Sequence, residues 1–493
     1  MAASSVARSA VVDIGSNSVR MVAFDRHDRS LAPVFNEKAM SGLGRNLLAT
    51  SRLDPAGWAS ALAILARFRM VAASMGVDRI RAVATAAVRD AFDGEEFVRV
   101  AEAALGAPVE VLAGSEEARL SGVGVLCGIP GAEGMIGDLG GSSLEFKQIG
   151  GKAADGESLM LGPLSLVEGD IDLKALRRAI RAELKASDVL AKSTGRFYAV
   201  GGAWRTVAKL NMQIEDYSLK VLQGYQMSKS QVDKVAKLCF DSVTSSTARA
   251  MLENVDKRRA KHLPVAAILL QEILGNSRLE GVTISSAGLR EGVLRDALGA
   301  PLHDPLMDGA IAFARLDKNQ ILFGEALHDF IAPALAPEPD LFGSPAADIR
   351  IEKAACMMAD SAGRFHPDHR SIMAYDQALR APYVGVSHGE RALIAYAIGC
   401  RYQKDFKRPD EYVALTTPEQ DERARQIGSA MRLGAVFSGR SGPILQRARL
   451  VRTHDTLQLK VSKADEAMVS DTVERRLSQT ASQLRLKSDV IIS

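Results

Sequence analysis

Two hydrophobic periods alternate along the first 300 residues. Positions 9–14 and 19–24 are apolar runs parted by Gly-Ser-Asn-Ser, the pattern of a hairpin. Helical spacing covers 54–75, with Asp54 and Pro55 suited to the N-cap and first turn. A strand over 79–85 precedes an Ala-rich helix start, then come a helix at 95–105, a strand at 109–112 and a helix at 115–126. Residues 134–149 again read strand, Gly-rich turn, strand. A second α/β stretch carries a basic helix over 173–190 and strands at 197–200 and 282–285, ending in a turn and helix from Ala287. Beyond about Asp304 the pattern is mostly helical, apart from short alternating segments in the last 45 or so residues. This order predicts an α/β fold with a partly parallel sheet, then a helical region.

Composition narrows the class. The chain has 493 residues, 47% hydrophobic and 25% charged, which excludes disordered, collagen-like and disulfide-scaffold proteins. No uninterrupted apolar run predicts a membrane span, and residues 1–15 lack the order of a secretory signal. Cys127, Cys239, Cys356 and Cys400 are far apart and form no Cys-x-x-Cys pair, so a reduced, cytoplasmic setting is expected. A net charge of +3 announces no polyanion, so any such partner must use a local basic surface. Few aromatics interleave with the basic segments, and no nucleic acid is expected.

One internal similarity carries chemistry. Val11 to Ser18 (VVDIGSNS) and Ile136 to Ser143 (IGDLGGSS) share a layout: apolar strand, Asp, apolar residue, Gly, then small hydroxyl-bearing residues. Successive N–H groups at such a turn make a nest for an anion, and the strand-end Asp can hold Mg²⁺. Two such hairpins across a cleft would clamp a phosphate. The tandem arrangement resembles the acetate kinase–sugar kinase–actin–Hsp70 superfamily. Four further segments narrow it: Thr85-Ala-Ala-Val-Arg89-Asp90, Gly114-Ser-Glu-Glu117-Ala-Arg119, Val200-Gly-Gly-Ala-Trp-Arg205 and Gly288-Leu-Arg-Glu-Gly-Val293. With these the chain resembles the exopolyphosphatase/guanosine pentaphosphate phosphohydrolase family, in its long form.

The resemblance implies two actin-like (ribonuclease H-like) lobes, 1–130 and 131–300. A mostly helical HD-like domain with a small α/β tail would occupy 301–493. It implies a cytoplasmic exopolyphosphatase that removes terminal orthophosphate from inorganic polyphosphate by water attack. The alternatives are pppGpp 5′-phosphohydrolysis, both activities together, or a non-catalytic protein that binds polyphosphate or the alarmones pppGpp and ppGpp. Glu117 matches the catalytic carboxylate, and Arg89 an arginine reaching the phosphate. Gly15, Ser16, Asn17, Ser18, Arg20, Gly140, Gly141, Ser142 and Ser143 would bind substrate phosphate, and Asp13, Asp138 and Glu145 would hold Mg²⁺. A homodimer through the C-terminal domain is implied as well.

Residue type alone leaves Glu116 and Glu117 open as the base. The family's second turn reads Gly-Gly-Gly-Ser, against Gly140-Gly141-Ser142-Ser143 here, so Ser142 needs a backbone conformation open to a side chain. An HD metal site needs an adjacent His-Asp, and this chain has Ala359-Asp360 instead, with His366, His369 and His388 nearby. A metal there is not expected. Basic residues at 177, 178, 181 and 185, at 257–261, and at Arg432, Arg440, Arg447, Arg449 and Arg452 read first as solvated faces. The last set is also a candidate track for a long polyanion.

Overall fold

The structure is a computed structural model. It describes residues 8–25, 30, 32–150, 156–166, 172–298, 303–314, 318–335 and 341–493. The chain forms two compact units, Met1–His303 and Asp304–Ser493.

In the first unit, strands β1 (Arg8–Ile14), β2 (Ser18–Asp25), β3 (Phe35–Met40), β4 (Val77–Ala84) and β5 (Val109–Val111) make a sheet in the order β3-β2-β1-β4-β5. Strands β6 (Gly134–Leu139), β7 (Leu144–Ile149), β8 (Glu157–Leu159), β9 (Arg196–Val200), β10 (Gln226–Met227) and β11 (Val282–Ile284) make a second, ordered β10-β11-β9-β6-β7-β8. The pairings repeat. β1 is antiparallel to β2 and parallel to β4, as β6 is to β7 and to β9. The unit is therefore one lobe built twice, which the shared Asp-x-Gly turns signal in sequence.

Each sheet is covered by apolar helix faces. Helix Pro55–Ser74 starts with the Asp54 side chain accepting from Gly57 N at 2.7 Å, and it buries Ala61, Leu65, Phe68 and Ala72 on the first lobe. It is the one described helix that by length and composition alone is apolar enough to cross a membrane, and its apolar face packs on the sheet instead. It owes that composition to alanines rather than to a continuous greasy run, and Arg67 and Arg69 interrupt it. The second core centres on Phe146, Phe197 and Trp204, packed edge to face, and on the almost wholly buried helix Leu263–Gly275. The lobes meet where helix Gly114–Gly128, lying on β6 and β7, crosses helix Leu289–Leu298, lying on β1. Glycines make this approach possible: a Cβ at Gly124 would stand 1.9 Å from the Gly288 carbonyl oxygen, and one at Gly292 would stand 1.9 Å from that of Leu120.

Three expectations need correction in this unit. The basic helix ends at Ala186, because Ser187 caps a new turn by accepting from Leu190 N. Arg177 and Arg181 are not a free face, since both pair with the buried Glu272. Strands β3, β8 and β10 were not anticipated. They are short or edge strands, with too few residues to show a period of two.

The second unit is mostly helical, with helices Pro305–Ala314, Lys318–Ile331, Pro345–Met357, Arg370–Arg380, His388–Tyr402 and Pro418–Ser438. It ends in a sheet β12-β13-β14 (Ala448–Arg452, Thr456–Val461, Lys487–Ile492) with helix Asp471–Gln483. Asp360 is a buried hub for cations: Arg401 donates to it at 2.9 Å, and Arg440 and the Tyr402 hydroxyl each at 3.3 Å. No group of three His, Cys, Asp or Glu side chains able to hold a metal alone occurs among the described residues. Of the arginines read as a track, Arg432 caps the carbonyls of Cys400 and Arg401, Arg440 serves Asp360, and Arg447 pairs with Asp465. Of these five, Arg449 and Arg452 stay exposed with no side-chain hydrogen bond or ion pair among the described residues. The four cysteines are buried and unpaired.

Candidate active site

The two Asp-x-Gly turns face one cavity of about 480 Å³ in the first unit. Each turn closes on itself alike, with Gly15 N donating to Ser18 O at 3.1 Å and Gly140 N to Ser143 O at 3.0 Å. Each is then clamped by the loop after the third strand of its lobe. Gly44 N holds Ser16 O at 2.7 Å, and Ser41 N and Gly42 N hold Asn17 O at 3.1 Å. In the second lobe Leu164 N holds Gly141 O at 2.9 Å and Gly162 N holds Ser142 O at 3.0 Å. A planar trans peptide aims its N–H opposite to its C=O. Fixing these carbonyls therefore fixes the N–H groups of Asn17, Ser18, Ser142 and Ser143, which is what an anion nest requires. Ser142 lies outside the left-handed region, so a side chain there costs no backbone strain.

Acidic groups gather at the same end. Asp138 and Glu145 are direct cross-strand partners on β6 and β7, so their side chains share a face. Ser121, on the crossing helix, donates to Asp138 Oδ2 at 2.5 Å, and Ser158 donates to Glu145 Oε1 at 3.0 Å. Glu145 is fully buried and its Oε2 has no hydrogen-bond partner. Burial, resisted by a hydrogen bond from Ser143 and reinforced by Asp138, pushes its carboxyl up to about 7. Burial also raises Asp138 above the usual carboxylate range. Asp13, at the end of β1, accepts from Arg290 at 2.9 Å through Oδ2.

Glu116 and Glu117 part company in three dimensions. Glu116 is 38% exposed and pairs with Arg119 on the surface. Glu117 is 6% exposed and lines the cavity. Burial, followed by the charges of Glu145 and Asp138, raises its carboxyl well above the ordinary range, against the pull of Arg89. Arg89 does not itself line the cavity. Its Nη1 donates to Glu117 Oε2 at 3.3 Å and to Leu112 O at 3.1 Å, and its Nε donates to Asp90. Ser142 and Glu145 also stand behind the lining, whereas Asp13, Gly15, Ser16, Asn17, Ser18, Arg20, Asp138, Gly140, Gly141 and Ser143 form it.

The same cavity is lined by cations that sequence reasoning left mostly unassigned: Arg20 with Lys38, Arg205, Lys209, Arg259 and Arg290, the last paired with Asp13. Lys38 opens to the cleft from edge strand β3. Desolvation there, then Arg259 of the other lobe and Arg20, push its ammonium down to about 8. Burial and Arg290 bring Arg20 down to about 10. His262 is held below its usual value by burial and by Lys261. The 257–261 cluster and the Gly288-Leu-Arg290 motif were visible signals for Arg259 and Arg290. Lys38 had none, because its strand was missed.

A duplicated lobe whose two nests share one acid-ended, cation-walled cleft defines a phosphate-handling protein of the actin-like class. The model of the Ppx/GppA phosphatase family matches residues 7–300, and that of the exopolyphosphatase C-terminal domain matches residues 343–491. The chain belongs to the Ppx/GppA phosphatase family. It is 24% identical over 476 residues to retrograde regulation protein 2 of Saccharomyces cerevisiae, covering 87% of this chain and 79% of that protein. It is 27% identical over 323 residues to the guanosine-5'-triphosphate,3'-diphosphate pyrophosphatase of Aeromonas salmonicida, covering 63% of this chain and 64% of that one. Among solved structures, an Aquifex aeolicus member of the Ppx/GppA family superposes with a TM-score of 0.52 at 25% identity, over 59% of this chain and 97% of that one. An exopolyphosphatase from Cytophaga hutchinsonii shares the fold, with a TM-score of 0.51 at 23% identity over 60% and 99%.

Proposed function

We propose that this chain is an exopolyphosphatase, hydrolysing the terminal phosphoanhydride of linear polyphosphate to release orthophosphate. The observation that carries this reading is the cleft itself, which combines buried carboxylates with six Lys and Arg side chains and has no Phe, Tyr or Trp among its described lining residues. Such a surface suits a chain of phosphates, and it lacks the large aromatic side chains on which bases usually stack.

In this reading the two nests hold the terminal phosphate through main-chain N–H groups. Glu117 orients a water in line and takes its proton as the water oxygen bonds to phosphorus. The bridging P–O bond breaks, and its electrons stay on the oxygen of the shortened chain. Arg89 keeps Glu117 in place and supports its ionised form. The orphaned Glu145 oxygen beside Asp138 is a fit for a hard cation. Mg²⁺ commonly binds through one or two carboxylates and completes its shell with waters and substrate phosphates, so a set of three protein ligands is not required. Asp138 and Glu145 would hold it directly and Asp13 through a water, and it would neutralise charge on the phosphoryl oxygens. The unpaired cysteines support work in a reduced cytoplasm. The family resemblance supports a homodimer, which light scattering decides.

The Aeromonas relative's name favours pppGpp as a second substrate of the same site. Orthophosphate release from polyphosphate and from pppGpp, at matched concentrations with Mg²⁺ and with a chelator, tests both. Faster release from polyphosphate, abolished by the chelator, is expected. Release from neither would sink the hydrolase reading.

A further inference from the structure

The Ser142 side chain stands behind the cavity lining and makes one hydrogen bond of its own. Its hydroxyl donates to the Ser16 hydroxyl at 3.0 Å, across the gap between the lobes. Both serines are 5% exposed. Their backbones are anchored separately, Ser16 O to Gly44 N in the first lobe and Ser142 O to Gly162 N and the Ser165 hydroxyl in the second. The approach depends on missing side chains. A Cβ at Gly44 would come within 2.9 Å of Ser16 Cβ, and one at Gly141 within 3.3 Å. Since Ser142 is the donor, the Ser16 oxygen accepts and its own proton remains without a protein acceptor. Ser16, unlike Ser142, lines the cavity.

We propose that Ser142 is a positioning residue: its hydroxyl sets the spacing of the two phosphate-binding turns and turns the Ser16 O–H toward the bound terminal phosphate. The inference rests on the reading that this phosphate sits between the turns. It makes the two nests one preassembled site, with the Ser16 hydroxyl as a side-chain donor beside the main-chain N–H groups. A side-chain donor whose rotor is fixed by a neighbour gives up less entropy on binding than a free one.

The test is a double-mutant cycle on the full chain, with Ser16→Ala, Ser142→Ala and both together. Binding of inorganic phosphate and of tripolyphosphate is followed by calorimetry in the presence of Mg²⁺, with orthophosphate release measured alongside. Ser142→Ala should weaken phosphate binding and raise KM by about three- to tenfold, the range of one hydroxyl hydrogen bond, with kcat changed less. In the Ser16→Ala background the second substitution should add nothing further. Ser142→Thr, which keeps the hydroxyl, should bind as the parent does. Equal phosphate affinity of parent and Ser142→Ala, or additive losses in the cycle, overturns the inference while leaving the hydrolase reading intact. Phosphate binding by the parent that Ser16→Ala leaves unchanged also overturns it. A parent that binds neither ligand overturns the reading and the inference together. Circular dichroism and melting of each variant separate these results from misfolding.

Discussion

At the scale of the residue, the acids of the cleft are distinguished by burial. Glu117→Gln keeps shape and hydrogen bonding but removes the base, and it should lower kcat by about 10²–10⁴-fold while tripolyphosphate still binds. Glu116→Gln, on the surface, should stay near the parent. The reverse ranking in steady-state kinetics would move the base. Lys38 predicts an alkaline limit. Its ammonium is the form that attracts phosphate, and its value lies at about 8, so affinity for polyphosphate should fall as pH rises through 8. Lys38→Met should raise KM at pH 7 and flatten that limb. A limb that persists in the variant assigns it elsewhere. Glu145 links pH to stability. Its folded value of about 7 lies above its ordinary 4.5, so folding holds its proton more tightly. Stability is then highest below the ordinary value and is lost as pH rises to about 7. Without divalent cation, Glu145→Gln should melt above the parent at pH 8, and the gap should close toward pH 4.5. A gap independent of pH would refute the assignment. Sequence singled out Asp13, Glu117, Asp138 and Glu145 because each stands at a motif. It could not separate Glu116 from Glu117, since a single step around a helix decides which of them is buried.

At the scale of the element, the hairpins and the larger helices were legible because their periods run long enough to be unambiguous. Helix Gly94–Leu105 shows an apolar stripe of Phe97, Ala101 and Leu105. The break at Ser187 was not legible, because a cap in mid-pattern looks like any polar residue. β3 was missed as an edge strand, and Lys38 went with it. The helix crossing between the lobes was equally silent, although it depends on identifiable glycines. Gly124→Ala places a methyl against the Gly288 carbonyl. The helices must part or shift, at a cost of about 1–3 kcal/mol. A lowered urea midpoint with an unchanged m-value is expected. A midpoint equal to the parent's would mean that the crossing yields without strain.

At the scale of the whole molecule, each unit has its own core and its own use of charge. The second unit spends cations on its interior: Arg391, 1% exposed, donates to the carbonyls of Leu379, Ala381 and Tyr383, and Arg423 pairs with Glu352. A counting of basic residues along the sequence cannot see this, which is why the tail read as a track. Of the arginines read as that track, Arg449 and Arg452 remain exposed for it. Replacing both by Ala should reduce the slope of log KM against log salt, for long polyphosphate, by about 0.7 per lost contact, and leave tripolyphosphate unchanged. No change in slope leaves the long-chain substrate to the cleft alone. The buried cysteines supply a way to watch the units separately. Cys127 and Cys239 lie in the first, and Cys356 and Cys400 in the second. Burial pushes the Cys127 thiol up to about 11 and those of Cys239 and Cys400 to about 12, and raises Cys356 well above its usual value. In the folded chain burial keeps these thiols protonated and out of reach of an alkylating reagent at neutral pH. Labelling then becomes a clock for opening, and mass spectrometry of the tagged peptides reads two hands of it at once, one for each half of the chain.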